Sequence, residues 1–178
     1  MPREITSTVP HTLNYTEYED GPIQPGCIRA KVEYAAPKHG TEMHGWNNDP
    51  NVKPSYYDPE TLCFMEIAPD PDAKPSVFRP GNMWVGRVTE VGDGVTEFTV
   101  GDRVAGYGCL RETQTVRAGV ENRPGLGAID DLLHMPEEMS WQAALCYDPC
   151  QFALCGVRDS MLRLGDTCLI SGLGAIGL

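Results

Sequence analysis

No apolar run in this sequence approaches the roughly 20 residues needed to cross a bilayer, so no membrane span is expected. The opening MPREITSTVPHTLNYTEYED has no basic stretch followed by an apolar core, and no signal peptide is read there. Basic residues are scarce: 14 Lys and Arg stand against 25 Asp and Glu, a formal charge of -11. That balance counts against a nucleic-acid partner, whose binding depends on Lys and Arg releasing phosphate counterions. Paired CxxC motifs are missing as well. The seven cysteines, at 27, 63, 109, 146, 150, 155 and 168, are odd in number. A reducing, cytoplasmic setting is expected, with each thiol read as a small buried hydrophobe. Internal repeats and low-complexity segments are absent too.

What is present fits a globular protein of 178 residues, long enough for one well-buried domain with some material left over. The first twenty residues read as polar and irregular. In Cys27 to Ala36, CIRAKVEYAA, residues Ile28, Ala30, Val32 and Tyr34 alternate onto one face, the pattern of a half-buried strand. Asn47 to Pro80 holds seven prolines and reads as an extended superficial loop, with TLCFMEI a short strand candidate inside it. From Met83, MWVGRVTEVGDGVTEFTVGDRVAGYG breaks at Gly92-Asp93-Gly94 and at Gly101-Asp102, which predicts a run of short antiparallel strands. Glycines 86, 106 and 108 within them suggest bulges or corners of a small bent barrel. Thr113 to Ala118 alternates again.

The texture then turns helical. Ser140 is the N-cap candidate for a helix over WQAAL, and Pro149 marks a second helix with Asp148 as its N-cap. Thr167 to Ser171, TCLIS, reads as a short apolar strand. Directly after it, Gly172, Gly174 and Gly177 match G-x-G-x-x-G, in which glycines allow a tight turn, close backbone approach to a pyrophosphate and close helix packing. An acidic residue about 20 positions further on, which would bind the ribose, has no counterpart here. The expectation is a chain incomplete for catalysis alone, either a fragment or one half of a split enzyme.

GNMWVGRVTEVGDGVTEFTVGDRV, the helical pair around YDPCQFALCGV and the strand before GLGAIG together resemble the medium-chain dehydrogenase/reductase family. More narrowly they resemble its zinc-type alcohol and polyol dehydrogenases. The resemblance implies a mainly β fold with some helix: a GroES-like β-barrel catalytic domain over residues 1–140. Residues 141–178 would then hold two linking helices, and the first strand and Gly-rich turn of a Rossmann fold. It also implies NAD or NADP as cofactor, a small-molecule alcohol or carbonyl substrate, and a homo-oligomer or a second chain completing the Rossmann domain. Family members carry a Cys-Gly-Thr/Ser-Asp segment whose cysteine binds catalytic zinc, and here His39, Gly40, Thr41 and Glu42 stand in its place. A Gly-His-Glu segment that supplies the second ligand is Gly81-Asn82-Met83. The remaining ligand position is Asp148, before Pro149. By this resemblance His39 and Asp148 are the metal candidates, Asn82 is a weak neutral donor, and Met83 replaces the ligand's neighbour. Thr41 and His44 match a hydroxyl and a histidine that pass the substrate proton to solvent.

Bland readings stand beside these. His39 is equally a hydrogen-bonded loop histidine, Thr41 a turn residue and His44 a surface residue. Two functions compete: an oxidoreductase transferring hydride between NAD(P) and an alcohol or carbonyl, and a non-catalytic binding module that has lost its zinc. If the metal is gone, protonated His39 or the Thr41 hydroxyl is the expected substitute electrophile.

Overall fold

The structure is a computed structural model that describes residues 1–8, 10–47, 55–58, 60–67, 77–119, 121–123, 127–129, 132–174 and 176–177. The side chains of Thr41, His44, Tyr57, 121–123 and 127–129 lie outside that description. In chain order the elements are β1 Arg3–Thr6, β2 Asn14–Glu17, β3 Cys27–Ala36, α1 His39–Asn47, β4 Ser55–Asp58, β5 Cys63–Glu66 and β6 Met83–Val91. They continue with β7 Arg103–Tyr107, β8 Thr113–Arg117, β9 Glu121–Arg123, β10 Gly127–Ile129, β11 Leu132–His134, α2 Trp141–Leu145 and α3 Tyr147–Asp159.

Five strands form one antiparallel sheet in the order β11-β7-β6-β3-β8, and β1-β2, β4-β5 and β9-β10 are separate two-stranded pairs. The sheet curls because β3 slips register twice against β6, between Arg29 and Ala30 and between Val32 and Tyr34. Gly86 sits opposite the second slip. A Cβ there would lie 2.1 Å from the Lys31 carbonyl oxygen, so only glycine lets the two strands approach this closely.

Strand β6 is covered on both faces. Trp84 and Val88 pack with Ile28, Ala30, Phe98, Val104 and Leu132, and the Trp84 indole donates to the Tyr107 carbonyl at 3.1 Å. On the other face Met83 and Val85 pack with Ala105, Met135 and Ala144, which docks α2 on the sheet. Arg103 fixes the approach to α2. Its guanidinium donates to the carbonyls of Pro136, Glu137 and Met139 at 2.9, 2.6 and 2.6 Å and lies 4.2 Å over the Trp141 ring. Ser140 caps α2 as expected, accepting from the Ala143 N–H at 3.1 Å.

Several expectations are corrected. The polar N-terminus is not irregular, since β1 and β2 pair through their backbones, which needs no apolar pattern. The segment between Gly94 and Gly101 is not a strand but a loop that drops Phe98 into the core. The stretch read as an extended loop holds the expected strand in TLCFMEI, β5, but also an unexpected partner for it, β4, while 48–54, 59 and 68–76 lie outside the described residues. The break between helices falls at Cys146 rather than Pro149. Pro149 sits in the first turn of α3, where its missing N–H costs nothing. Residues 167–171 join no strand, because no described strand lies alongside to supply ladder bonds. The cysteines are all free, and Cys63, Cys146, Cys150, Cys155 and Cys168 are exposed rather than buried. Among the described residues no helix is long and apolar enough to cross a membrane.

Candidate active site

PKHGTEMHG, turn-like in sequence, begins the helix α1 at His39. Glu42, in its first turn, carries the helix start to the sheet. Its carboxylate accepts the Lys38 N–H at 2.6 Å and the Gly81 N–H at 3.0 Å, so one side chain ties the entry of α1 to the turn that feeds β6. Gly81 is obligatory in that turn: φ is +140°, and a Cβ would come within 2.4 Å of the Cys109 backbone.

The brace places Lys38 and Asn82 side by side, and α3 brings Asp148 to both. Asp148 is only 3% exposed and does not cap its helix; the cap position is Cys146, without a side-chain bond. Instead, Oδ2 of Asp148 receives the Lys38 ammonium at 2.7 Å and the Asn82 amide at 3.1 Å, and Oδ1 receives the Tyr107 hydroxyl at 3.3 Å. The Lys38 ammonium also lies 4.2 Å from the ring centroid of Phe152, one turn further along α3. Burying a carboxylate is costly unless it is paired and hydrogen-bonded, and here both conditions are met.

Lys38, Asn82 and Asp148 line a cavity of ≈ 860 Å³. The lining includes His39 beside them, together with Gly172, Gly174, Ile176 and Gly177. The glycine turn is tight. Gly172 has φ +95°, and a Cβ on Gly177 would meet the Gly172 carbonyl at 2.0 Å.

Of the residues singled out in sequence, Asn82 and Asp148 come into direct contact, and His39 is exposed on the cavity wall. Met83 is a core residue at 1% exposure. Thr41 and His44 lie on α1, but their side chains are outside the described ones. Sequence reasoning missed Lys38 and Tyr107. The available signal for Lys38 was a basic residue directly before His39, the first replaced ligand position.

A catalytic zinc needs three good donors and an open position. Asn82 offers a neutral amide whose NH₂ points at Asp148, and the Asp148 oxygen facing it already holds an ammonium. Among the described residues no three His, Cys, Asp or Glu converge. The residues that are present do not fit that metal.

Antiparallel strands curled around a tryptophan core, a short helix docked on the sheet and a glycine turn lining the same cavity as Asp148 are features of the GroES-like catalytic fold of medium-chain dehydrogenases. Residues 56–144 match the alcohol dehydrogenase GroES-like domain, and the chain belongs to that family. It is 38% identical over 180 residues to D-guloside 3-dehydrogenase of Escherichia coli (strain K12), covering 98% of this chain and 48% of that protein. It is 28% identical to (R,R)-butanediol dehydrogenase of Bacillus subtilis (strain 168), over 90% of this chain and 48% of that one. The chain thus spans about half the length of the curated relatives it matches. The crystal structure of 2R,3R-butanediol dehydrogenase from Bacillus subtilis superposes with a TM-score of 0.64 at 22% identity, covering 93% of this chain and 49% of that one. A likeness of that kind extends to the Escherichia coli quinone oxidoreductase complexed with NADPH, at a TM-score of 0.56 and 16% identity over 89% of this chain and 41% of that one.

Proposed function

We propose that this chain is the substrate-binding part of an NAD(P)-dependent dehydrogenase that oxidises a secondary hydroxyl of a sugar or polyol. The observation that carries the reading is one cavity lined both by Lys38, Asn82 and Asp148 and by the glycines Gly172, Gly174 and Gly177. The name of the D-guloside 3-dehydrogenase supports a glycoside hydroxyl as the substrate class. In the reaction the carbinol C–H bond breaks with its electron pair, which reduces the nicotinamide. The hydroxyl O–H bond breaks, its proton leaves to solvent, and a C=O double bond forms. When bound, the nicotinamide supplies the hydride acceptor.

The chain's own residues do the rest. Gly172, Gly174 and Gly177 allow a pyrophosphate close to the backbone. The polar cluster is the proposed contact for the substrate oxygen, and Thr41 and His44 are the proposed route for its proton. Zinc has no part in this scheme. The exposed apolar side chains of α3, Phe152, Leu154 and Val157, are proposed to dock the nucleotide-binding half or a second copy.

The test is to incubate full-length protein with NAD⁺ or NADP⁺ and a panel of glycosides, polyols and simple alkanols, following nicotinamide absorbance. Reduction with glycosides or polyols is expected. No reduction with any alcohol, together with no quenching of NADH or NADPH fluorescence on binding, would refute the reading.

A further inference from the structure

The Lys38 ammonium is held on Asp148, which also touches Asn82, and Asp148 and Asn82 are two of the three positions that the family resemblance makes metal ligands. We infer that the Lys38 ammonium is the group that binds and polarises the substrate oxygen in this protein; the inference rests on the function proposed above. As the alcohol is oxidised, negative charge builds on its oxygen while the proton departs. A fixed cationic donor stabilises that charge, as a metal would, without needing three ligands.

Several features make Lys38 that donor. Its ammonium is anchored at 2.7 Å on a carboxylate that is itself buried. Its backbone is fixed by Glu42, and the Phe152 ring flanks its head group. An ammonium has three N–H bonds, and one toward Asp148 leaves others for a ligand oxygen. The Lys38 side chain is 25% exposed and lines the cavity, so that face is reachable. Asn82 and Tyr107 act as positioning residues by holding the Asp148 carboxylate in place.

The same cluster explains why the usual metal ligands are replaced together. A divalent cation at this point would face an ammonium across one carboxylate, and the repulsion would expel one of the two. Lysine and zinc are alternatives here, not partners.

The test uses full-length protein. Lys38→Met is expected to lower kcat by about 10²–10³-fold. Affinity for NADPH should be unchanged. Because that variant leaves Asp148 unpaired, a Lys38→Met, Asp148→Asn double variant restores neutrality and should be equally slow. Lys38→Arg should recover part of the rate, and ethylamine added to Lys38→Ala should recover part of it too, which a purely structural lysine would not show. Wild-type protein should carry no stoichiometric zinc and lose no activity to a chelator. An unchanged kcat in the folded double variant, or activity lost on chelation and regained with zinc, overturns the inference while leaving the dehydrogenase reading intact. A separate arm does not depend on turnover: calorimetric titration with D-gluconate, whose oxyanion should bind wild type roughly tenfold or more tightly than Lys38→Met. Lys38-dependent gluconate binding without any alcohol oxidation would sink the dehydrogenase reading and keep the oxyanion site; equal gluconate binding by both proteins counts against the site.

Discussion

Two apolar segments of this chain, MWVGRV in β6 and TCLIS at 167–171, have similar make-up and opposite fates. In β6, Trp84 and Val85 are fully buried; in the second segment Leu169 is 94% exposed and Ile170 57%. The difference lies in neighbours. β6 has β3 on one side and β7 on the other, with the two core clusters above and below. Residues 167–171 have no described strand beside them. An apolar pattern permits a strand, but a ladder partner makes one.

Truncation should separate the two regions most sharply. Trp84→Ala is expected to cost about 3–5 kcal/mol, because it opens a large cavity and removes the bond to the Tyr107 carbonyl. Leu169→Ala should stay within about 0.5 kcal/mol in the same chain. Urea unfolding of both variants checks the contrast, and equal losses would break it.

Gly86→Ala tests the backbone rather than the side chains of β6. With Lys31 oxygen 2.1 Å from the added Cβ, the β3-β6 pair must spread, at about 2 kcal/mol or more. Gly174→Ala meets nothing within 4 Å and should be nearly silent in stability. The two thermal midpoints measured together give the comparison.

Much of the sheet could be read directly from residues. The stretch from Cys27 to Ala36 delimits β3, although its alternation fails at Arg29, which is buried with Ile28 and Ala30, and at Tyr34, exposed beyond the second slip; Thr113 onward reads as β8. The pair β1-β2 escaped, being held by backbone bonds between polar residues. α1 escaped as well: HGTEMHGWN has no apolar face, and its start is secured by Glu42 reaching to Lys38 and Gly81, a contact across 39 residues that no local pattern encodes. The site was half legible. Asn82 and Asp148 stand out as replaced ligands, but Asp148 reads locally as a helix cap. Only the contacts of Asp148 with Lys38, Asn82 and Tyr107, distant in sequence, reveal that its charge belongs to Lys38.

Ser140→Ala removes one cap from α2, the helix that closes the sheet's second core, and should cost about 1 kcal/mol by thermal unfolding. A loss well below that would mean the Arg103 clamp alone holds the helix start.

The smallest effect concerns acid. The Glu112 carboxyl is held below its ordinary range, first by the side-chain hydrogen bond from Arg3 and then by the Arg3 backbone N–H. A lowered folded pKa contributes stability above the unfolded carboxylate value, and that contribution fades as pH falls through the folded one. The pair is exposed, so salt should shrink it. Glu112→Gln should flatten part of the acid side of the stability curve at low salt; identical curves would dismiss the pair.

The central claim is that a lysine occupies the place of a metal in this dehydrogenase fold. The most direct measurement is turnover of full-length protein after exhaustive chelation, with zinc content determined on the same sample. The account predicts unchanged turnover with far less than one zinc per chain. Activity that disappears with the metal and returns in proportion to added zinc would contradict it.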